Sequence, residues 1–228
     1  VSSLKPTATQ VGVGVDLQPL AVLRRSASVE WVELFEPFDN LLSFASPRAD
    51  HSDGERERLG ISGQNYSTRG VYVSLGAMLQ AKVRWFAVRS DLKLVYADLA
   101  LRGGDTVFYE IEWDLLAQDG GWVLFDNTDV LFMADFGLIA GVRYSLAHAL
   151  YTRGAYGAGE STKNPNTPVH KLGIVLGWSF KDVVPGFQKP TILLMGSWYL
   201  EHRYRAGQET SQGMPCIILA FAFNGRLL

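Results

Sequence analysis

The chain has 228 residues, a formal net charge of −2 and a single cysteine. This length fits one barrel or one large sandwich, and the near-neutral charge gives no indication of a nucleic-acid partner. A run of about 18 apolar residues, as a transmembrane helix requires, is absent from the sequence. Because the chain begins Val1-Ser2-Ser3 rather than with a methionine and an apolar leader, we expect a processed form or a fragment, with any signal peptide outside this numbering.

The first 66 residues predict two strands and a long insert. Apolar residues recur at about every second position in 10–16 and 21–35, as in a β-strand with one apolar and one polar face. Residues 37–66 break this pattern with two prolines and the charge run 53–58. Such a run predicts a solvated loop, with a linker or a partially disordered insert as the alternative. Within it, the apolar residues of 41–44 are expected to dock against the sheet or to lie at an interface.

The central part of the chain predicts strands at 71–87, 92–102 and 105–116. The first exceeds the roughly 9–11 tilted residues that cross a bilayer, whereas about five or six are usual in soluble sheets. The third alternates cleanly between two faces. One of these faces is acidic, and the other is formed by Val107, Tyr109, Ile111, Trp113 and Leu115.

The last part predicts a short strand at 122–125, a turn at 126–129 and one unbroken strand over 132–150. A two-residue hairpin near 137 would reverse the phase of the alternation, and the phase does not change there. After a Gly/Asn/Pro-rich loop at 154–168, further strands are predicted at 169–180, 192–205 and 216–223. The total is about ten strands, with eight and twelve as alternatives.

The distribution of polar groups favours lipid, rather than a soluble core, on the apolar side of these strands. The apolar faces are continuous and often carry an aromatic near one end, as interfacial girdles require. The opposite faces carry glycines together with charges of both signs, which pairing and water stabilise in a lumen. The alternative is a soluble lipocalin-like barrel with the charges outside, but its glycines would then weaken the water-facing side of the strands.

Two groups of site residues follow from this assignment. The predicted ion-pair network of the lumen consists of Arg24, Glu30, Lys82, Arg84, Asp98, Glu110, Glu112, Asp114, Asp135, Arg143, Lys171, Glu201, Arg203 and Arg205. The predicted aromatics at the lipid interface are Trp31, Trp85, Trp113, Trp178, Trp198, Tyr204, Phe221 and Phe223.

This pattern resembles bacterial outer-membrane β-barrel proteins over most of the chain outside 36–66. The final strand, 216–223, looks like the alternating C-terminal strand that the outer-membrane assembly machinery recognises, although 224–228 follow its last aromatic. The resemblance implies an all-β fold, an antiparallel up-and-down transmembrane β-barrel that forms one domain over 1–228 and is surrounded by outer-membrane lipid. Ten strands with periplasmic termini would put the insert at 37–66 on the periplasmic side, where turns are usually short.

The resemblance also implies two possible enzyme classes. One is proteases with acidic residues and a histidine at the rim of the barrel, and the other is lipid A-modifying hydrolases with Ser and His on the lipid side. His148, His170 and His202 are predicted to face outward near one end of three successive strands, where interfacial histidines are favoured over a metal or acid–base site. Ser145 faces away from His148, so the two form no dyad. Phosphate loops, Cys/His metal spacings and nucleophile elbows are absent from the sequence. We therefore predict no cofactor, no metal and no catalytic residue.

The sequence thus predicts a small barrel with a charge-filled lumen that serves as a structural or interaction component of an envelope assembly. The loops at 37–66 and 154–168 are the predicted docking sites for other envelope proteins. The alternatives are a narrow channel for small solutes and, less favoured, a rim-located lipid or peptide hydrolase.

Overall fold

The computed structural model describes residues 2–4, 8–34, 41–166, 168–180, 188–206 and 215–224. These residues form an all-β protein with one α-helix, α1 (Asp53–Ile61). The strands are β1 (Ser2–Leu4), β2 (Ala8–Leu20), β3 (Leu23–Leu34), β4 (Ser43–Phe44), β5 (Thr68–Val83), β6 (Phe86–Leu99), β7 (Val107–Glu110), β8 (Leu115–Gln118), β9 (Gly121–Met133), β10 (Leu138–Leu150), β11 (Val169–Ser179), β12 (Gln188–Glu201) and β13 (Cys216–Asn224). In this described part of the chain, α1 is far too short and polar to cross a membrane, and no other helix qualifies.

Ten strands form one large antiparallel sheet in the order β1-β2-β3-β5-β6-β9-β10-β11-β12-β13. The remaining three, β4, β7 and β8, form a small sheet. Among the described residues no hydrogen-bonded pairing joins β13 to β1 or β2, so the large sheet has two edges. The number of strands in the large sheet equals the predicted number, but its members differ because the three-residue β1 belongs to it and 105–116 does not.

The connections of the large sheet differ between its two ends. At one, which we call the hairpin end, tight turns at 21–22, 84–85 and 134–137 join neighbouring strands. At the other, which we call the loop end, the long connections 100–120 and 151–168 leave the sheet, as does the segment between β3 and β5. Arg84 adopts a left-handed backbone conformation (φ 53°) in its turn.

The small sheet packs against one face of the large sheet at the loop end. Phe108, Leu115 and Ala117 of the small sheet are buried among side chains from strands β3 to β11. These partners are Val32, Leu34, Tyr72, Val95, Ala97, Leu99, Val123, Ala149 and Val169. Because strands so far apart in the sheet contact the same small sheet, the large sheet must curve around it. We therefore call its two faces concave and convex.

The convex face is apolar and exposed along every long strand of the sheet. Val13 is 77% exposed and Leu219 is 72% exposed, and the alternation of side chains puts most of the polar residues of these strands on the concave face. The exposed apolar residues on the strands between them include Val29, Leu75, Val88, Val130, Val142, Ile174 and Leu194.

The prediction of a membrane-facing strand at 105–116 is wrong. This segment forms the hairpin of β7 and β8 in the small sheet, joined by the turn 111–114. Val107, Tyr109 and Leu115 are buried in the interior, while Ile111 is exposed at the tip of the hairpin. Strict alternation of apolar and polar residues occurs both in an internal hairpin and in a barrel strand. The pattern alone therefore does not determine whether the segment 105–116 faces lipid or the interior.

Four other boundaries also differ from the prediction. The strand at 71–87 ends in the hairpin at 84–85, and the segment 132–150 contains the turn at 134–137. This turn has four residues, so it preserves the phase that suggested a single strand. The predicted turn at 126–129 lies inside β9, and the charge run at 53–58 belongs to α1. The start of the predicted insert, 37–40, lies outside the described residues.

Candidate functional site

Three charged side chains form one row across the concave face. Arg89, Asp129 and Arg143 are register partners on β6, β9 and β10. Asp129 is 1% exposed, and its carboxylate accepts hydrogen bonds from Arg89 Nη2 at 2.7 Å and from Arg143 Nε at 2.6 Å. Two guanidinium groups around one buried carboxylate satisfy it and leave the row with an excess of positive charge. The sequence prediction assigned Arg143 to this interior, but it put Asp129 in a turn and Arg89 between two predicted strands.

Asp114, at the tip of the β7–β8 hairpin, connects the small sheet to the large one. Its carboxylate accepts hydrogen bonds from the hydroxyls of Tyr109 and Tyr199, each at 2.6 Å, and from the guanidinium of Arg205. Burial alone would raise the pKa of Asp114, but the Arg205 guanidinium and the two hydroxyls hold its pKa far below the usual range. We therefore interpret Asp114 as an ionised anchor for the small sheet.

His202 belongs to the same interior cluster, and its predicted outward position is wrong. Its Nδ1 accepts hydrogen bonds from the backbone amides of Tyr204 and Arg205, so Nε2 carries the proton. That nitrogen donates to the carbonyl oxygen of Asp114 at 2.8 Å. His202 thus fixes the segment after β12 to the tip of the small hairpin.

The loop-end connections are fastened to one another by arginines. Arg203 donates hydrogen bonds to the carbonyl oxygen of Pro47 at 3.3 Å and to Oδ1 of Asn166 at 2.9 Å. Arg48 donates to the carbonyl oxygen of Ser161 at 3.0 Å. Side-chain bonds to backbone carbonyls fix the path of a loop, so these contacts give the loop end an ordered surface.

His51 makes the loop end sensitive to pH. Burial lowers the pKa of its imidazole to about 4, against about 6.5 in an unfolded chain. Between these values the unfolded state binds a proton that the folded state does not, so stability is full above pH 6.5 and falls as the pH drops toward 4. At about 1.4 kcal/mol for each pKa unit, the full loss below pH 4 is about 3–4 kcal/mol.

We expect hydrogen exchange of the residues around His51 to accelerate when the pH is lowered from 7 to 5, after correction for the intrinsic exchange rate. Their packing includes the rings of Tyr204 and Tyr109, whose centroids lie 4.7 and 6.0 Å from that of His51. The His51→Phe variant should lose the part of this pH dependence that His51 contributes, and keep the part from His202, whose pKa burial also lowers. An unchanged pH dependence in that variant would contradict the assignment.

Aromatic side chains form a band at each end of the convex face. The hairpin-end band contains ring pairs from the turns and strand ends, namely Trp85–Phe132, Phe86–Phe132, Phe136–Trp178 and Phe221–Phe223. The register of the sheet places the loop-end band opposite, at Trp31, Tyr96, Trp122 and Trp198.

Two of the predicted interface aromatics lie elsewhere. Trp113 packs inside the molecule, with its ring centroid 5.5 Å from that of Tyr72 and 5.4 Å from that of Phe125. Tyr204 packs against His51 at the loop end. Both were assigned by extending an alternation beyond the end of its strand.

The other predicted members of the ion-pair network are distributed over several locations. Arg24, Glu30, Lys82 and Lys171 lie on the concave face, where Arg24 binds Asp16 through both carboxylate oxygens. Arg84 and Asp135 lie in hairpin-end turns, and Glu110 and Glu112 lie at the tip of the small hairpin. Asp98 is on the convex face, because the hairpin at 84–85 reverses the phase of β6. Glu201 is also there, after the register shift between His170 and Lys171.

A polar cluster interrupts the convex face near the loop end. His170 hydrogen-bonds through Nδ1 to the hydroxyl of Tyr144, and its Nε2 lies 3.7 Å from Oε2 of Glu201. Asp126 accepts hydrogen bonds from the hydroxyls of Ser90 at 2.9 Å and of Thr128 at 3.0 Å. The sequence predicted the outward position of His170 and also that of His148.

Consecutive cavities follow the concave face from the hairpin end to the loop end. A cavity of about 660 Å³ at the hairpin end shares Lys82, Met133 and Ile139 with a central cavity of about 680 Å³. The central cavity reaches Arg143, which also lines a smaller cavity of about 220 Å³. That cavity shares Lys171 with a cleft at the loop end.

Within the described ranges, no group of three His, Cys, Asp or Glu side chains is placed to hold a metal ion. Comparison with protein-family models, with curated proteins and with solved structures found no match to this chain. Functional assignment therefore depends on the geometry of the two faces and the interior.

Proposed function

We propose that this chain is an integral protein of a bacterial outer membrane, a β-barrel that acts as a structural or interaction component of the envelope. In this proposal the convex face contacts lipid and the small sheet blocks the interior at the loop end. The observation that carries the proposal is the polarity of the large sheet, because its exposed convex face is apolar and Asp129 with its arginines is on the concave face. Transmembrane barrels have this arrangement.

The extent of the exposed apolar surface supports lipid contact. Water-soluble monomers rarely expose contiguous apolar patches larger than about a few hundred Å². Here each of the nine long strands contributes exposed apolar side chains to the convex face, which the polar cluster around His170 and Asp126 interrupts near the loop end. A lipid environment would remove this surface from water.

The spacing of the two aromatic bands supports the same conclusion. Phe86 and Tyr96 lie ten residues apart on β6, as do Phe132 and Trp122 on β9. At about 3.3 Å per residue and a tilt of roughly 35–45°, ten residues span about 25 Å across a membrane, which is the height of the apolar band in outer-membrane barrels.

A membrane location also requires the edges of the large sheet to pair, because each unsatisfied backbone group in hydrocarbon costs several kcal/mol. The curvature of the sheet supports closure, since Lys82 on β5 and Ala222 on β13 line the same cavity. We infer that β13 pairs with the β1–β2 edge in the membrane.

The loop end supports an interaction role. The small sheet occupies the interior there on the side of β3 to β11, and a narrow interior lined by side chains is not a wide diffusion pore. The segments 41–66 and 151–168, joined through Arg48 and Arg203, would present a fixed surface to a partner protein.

The consecutive cavities favour a narrow channel as the second candidate function. They share lining residues from the hairpin end to the loop end and pass the small sheet on the side of β12 and β13. A small solute would meet Lys82, Arg143 and Lys171 along this route.

Gel migration and conductance test these proposals. We expect the purified protein to require detergent, to migrate differently on a gel before and after heating, and to produce no discrete openings in a planar bilayer. Discrete openings would favour the channel. A protein that stays monodisperse in water without detergent would contradict the membrane proposal.

A further inference from the structure

The alternation of apolar and polar residues is lost in the hairpin-end halves of four adjacent strands. Residues 130–133, 138–140, 174–176 and 192–195 are apolar on both faces of β9, β10, β11 and β12. The members on the concave face line the central cavity of about 680 Å³; they are Leu131, Met133, Ile139, Val175, Leu193 and Met195.

The small sheet does not account for this apolar wall, because its contacts lie at the loop end. The lumen of a transmembrane barrel is ordinarily polar, and leaving apolar side chains in water costs about 0.8 kcal/mol for each CH₂ group. Met133 and Met195 are flexible side chains of the kind that suits adaptable apolar binding surfaces. A wall of this composition fits an apolar ligand.

The same cavity carries positive charge. Lys82, Arg89 and Arg143 line it with one carboxylate, that of Asp129, so three cations minus one anion give an excess of two positive charges. Among the described contacts, the carboxylate of Asp129 accepts hydrogen bonds from Nε and Nη2 of both Arg89 and Arg143. A guanidinium has five N–H donors, so the Nη1 group of each arginine is left for a ligand anion.

The order of these groups along the strands defines an axis for the ligand. Of the rows on the concave face that line the cavity, the arginine row Arg89–Asp129–Arg143 is the farthest from the hairpin end. Leu131 and Val175 lie in the next row toward that end. Met133 and Ile139 form the row after that and also line the hairpin-end cavity. A fatty acid that enters from the hairpin end with its carboxylate first would therefore place the carboxylate at the arginines and its acyl chain along the apolar rows.

We propose that the central cavity binds a long-chain fatty acid, with the carboxylate at Arg89 and Arg143 and the acyl chain against the apolar wall. The cavity volume lies within the range of about 300–1,000 Å³ that is usual for small-molecule sites. The proposal goes beyond the envelope role and does not depend on it, because the arginine row and the apolar wall are on the concave face, whereas the surface assigned to lipid is the convex face.

A fluorescent fatty acid tests the proposal. The delipidated protein, in a nonionic detergent at a fixed concentration, is titrated with cis-parinaric acid and separately with its methyl ester. We expect saturable binding of one acid molecule per chain. In the Arg89→Gln variant Arg143 still pairs with Asp129, and the loss of a charge-assisted hydrogen bond should weaken binding of the acid about tenfold or more while leaving binding of the ester unchanged.

Two further variants complete the test. Leu193→Asn, in the apolar wall, should weaken binding of both the acid and the ester. Arg24→Gln, on the same face but outside the lining of the cavity, should change neither. Absence of saturable binding, or equal affinities of wild type and Arg89→Gln for the acid, would overturn the proposal. Either result would leave detergent dependence and heat-modifiable migration untouched, so failure of the ligand site is distinguishable from failure of the envelope role.

Discussion

Replacing Asp114 with alanine should weaken the attachment of the small sheet by about 3–5 kcal/mol, the usual cost of removing one partner from a buried ion pair. The variant leaves Arg205 without its buried carboxylate and leaves the hydroxyls of Tyr109 and Tyr199 without their acceptor. Amide hydrogen exchange of β7 and β8 in detergent micelles would measure the effect. The matched control is Glu112→Ala, which removes an exposed acid from the same turn.

The pH dependence separates this anchor from His51. Because the folded-state pKa of Asp114 is lowered, its contribution is fully present above the ordinary carboxyl pKa of about 3.9 and is lost only as the pH falls through the folded value. Asp114 therefore contributes nothing to a loss of protection in the wild type between pH 7 and 5, whereas burial lowers the pKa of both His51 and His202 and makes these two imidazoles its source. Equal protection of β7 in the wild type and in Asp114→Ala at pH 7 would contradict the anchor role.

Placing an arginine on the convex face distinguishes lipid from water as its surroundings. Val142 is exposed on β10, and its register partner Val130 lies between the two aromatic bands. Because Val130 is two residues from Phe132 of the hairpin-end band, the new arginine would lie between the bilayer midplane and the interface. If lipid covers this face, Val142→Arg should therefore lower the free energy of unfolding in lipid vesicles by about 1–2 kcal/mol, between the values for these two depths. If water covers it, the change should stay within about 0.5 kcal/mol.

The control for Val142→Arg is Thr162→Arg. Thr162 is exposed in the connection at the loop end, so the same added charge would remain in water and leave stability nearly unchanged. Denaturant titration of both variants, followed by the loss of heat-modifiable migration, gives the comparison. Similar small effects in both variants would contradict lipid contact.

The large sheet was predictable from the sequence where only one face of a strand is apolar. On β5, Val71, Val73 and Leu75 alternate with Tyr72 and Ser74, and the structure has the predicted faces. On β6, Val95 and Ala97 pack on the small sheet while residues on the other face are also apolar. The sequence of β6 therefore does not indicate which of its faces packs inward. The hairpin at 84–85 also lacks the glycine or asparagine that marks tight turns, so the turn was not predicted.

The interior site was less predictable because it depends on pairings between distant segments. Asp129 reads as part of a turn in the run Asp-Asn-Thr-Asp, and only its register with Arg89 and Arg143 identifies it as the centre of an ion-pair row. Asp114 was assigned to the interior from its alternation with Trp113, although the strand inferred from that alternation does not exist. Its actual partners, Tyr199 and Arg205, are about 90 residues away along the chain, as the separations of 85 and 91 show.

The segments that are apolar on both faces also affect how the protein must be made. Before the sheet forms, residues 130–133 and 192–195 have no side that is compatible with water, and short apolar stretches of high β-propensity stack readily with copies of themselves. A newly synthesised chain that crosses an aqueous compartment would therefore require an escort protein that covers these stretches. Delivery, rather than the stability of the finished fold, would then limit the yield.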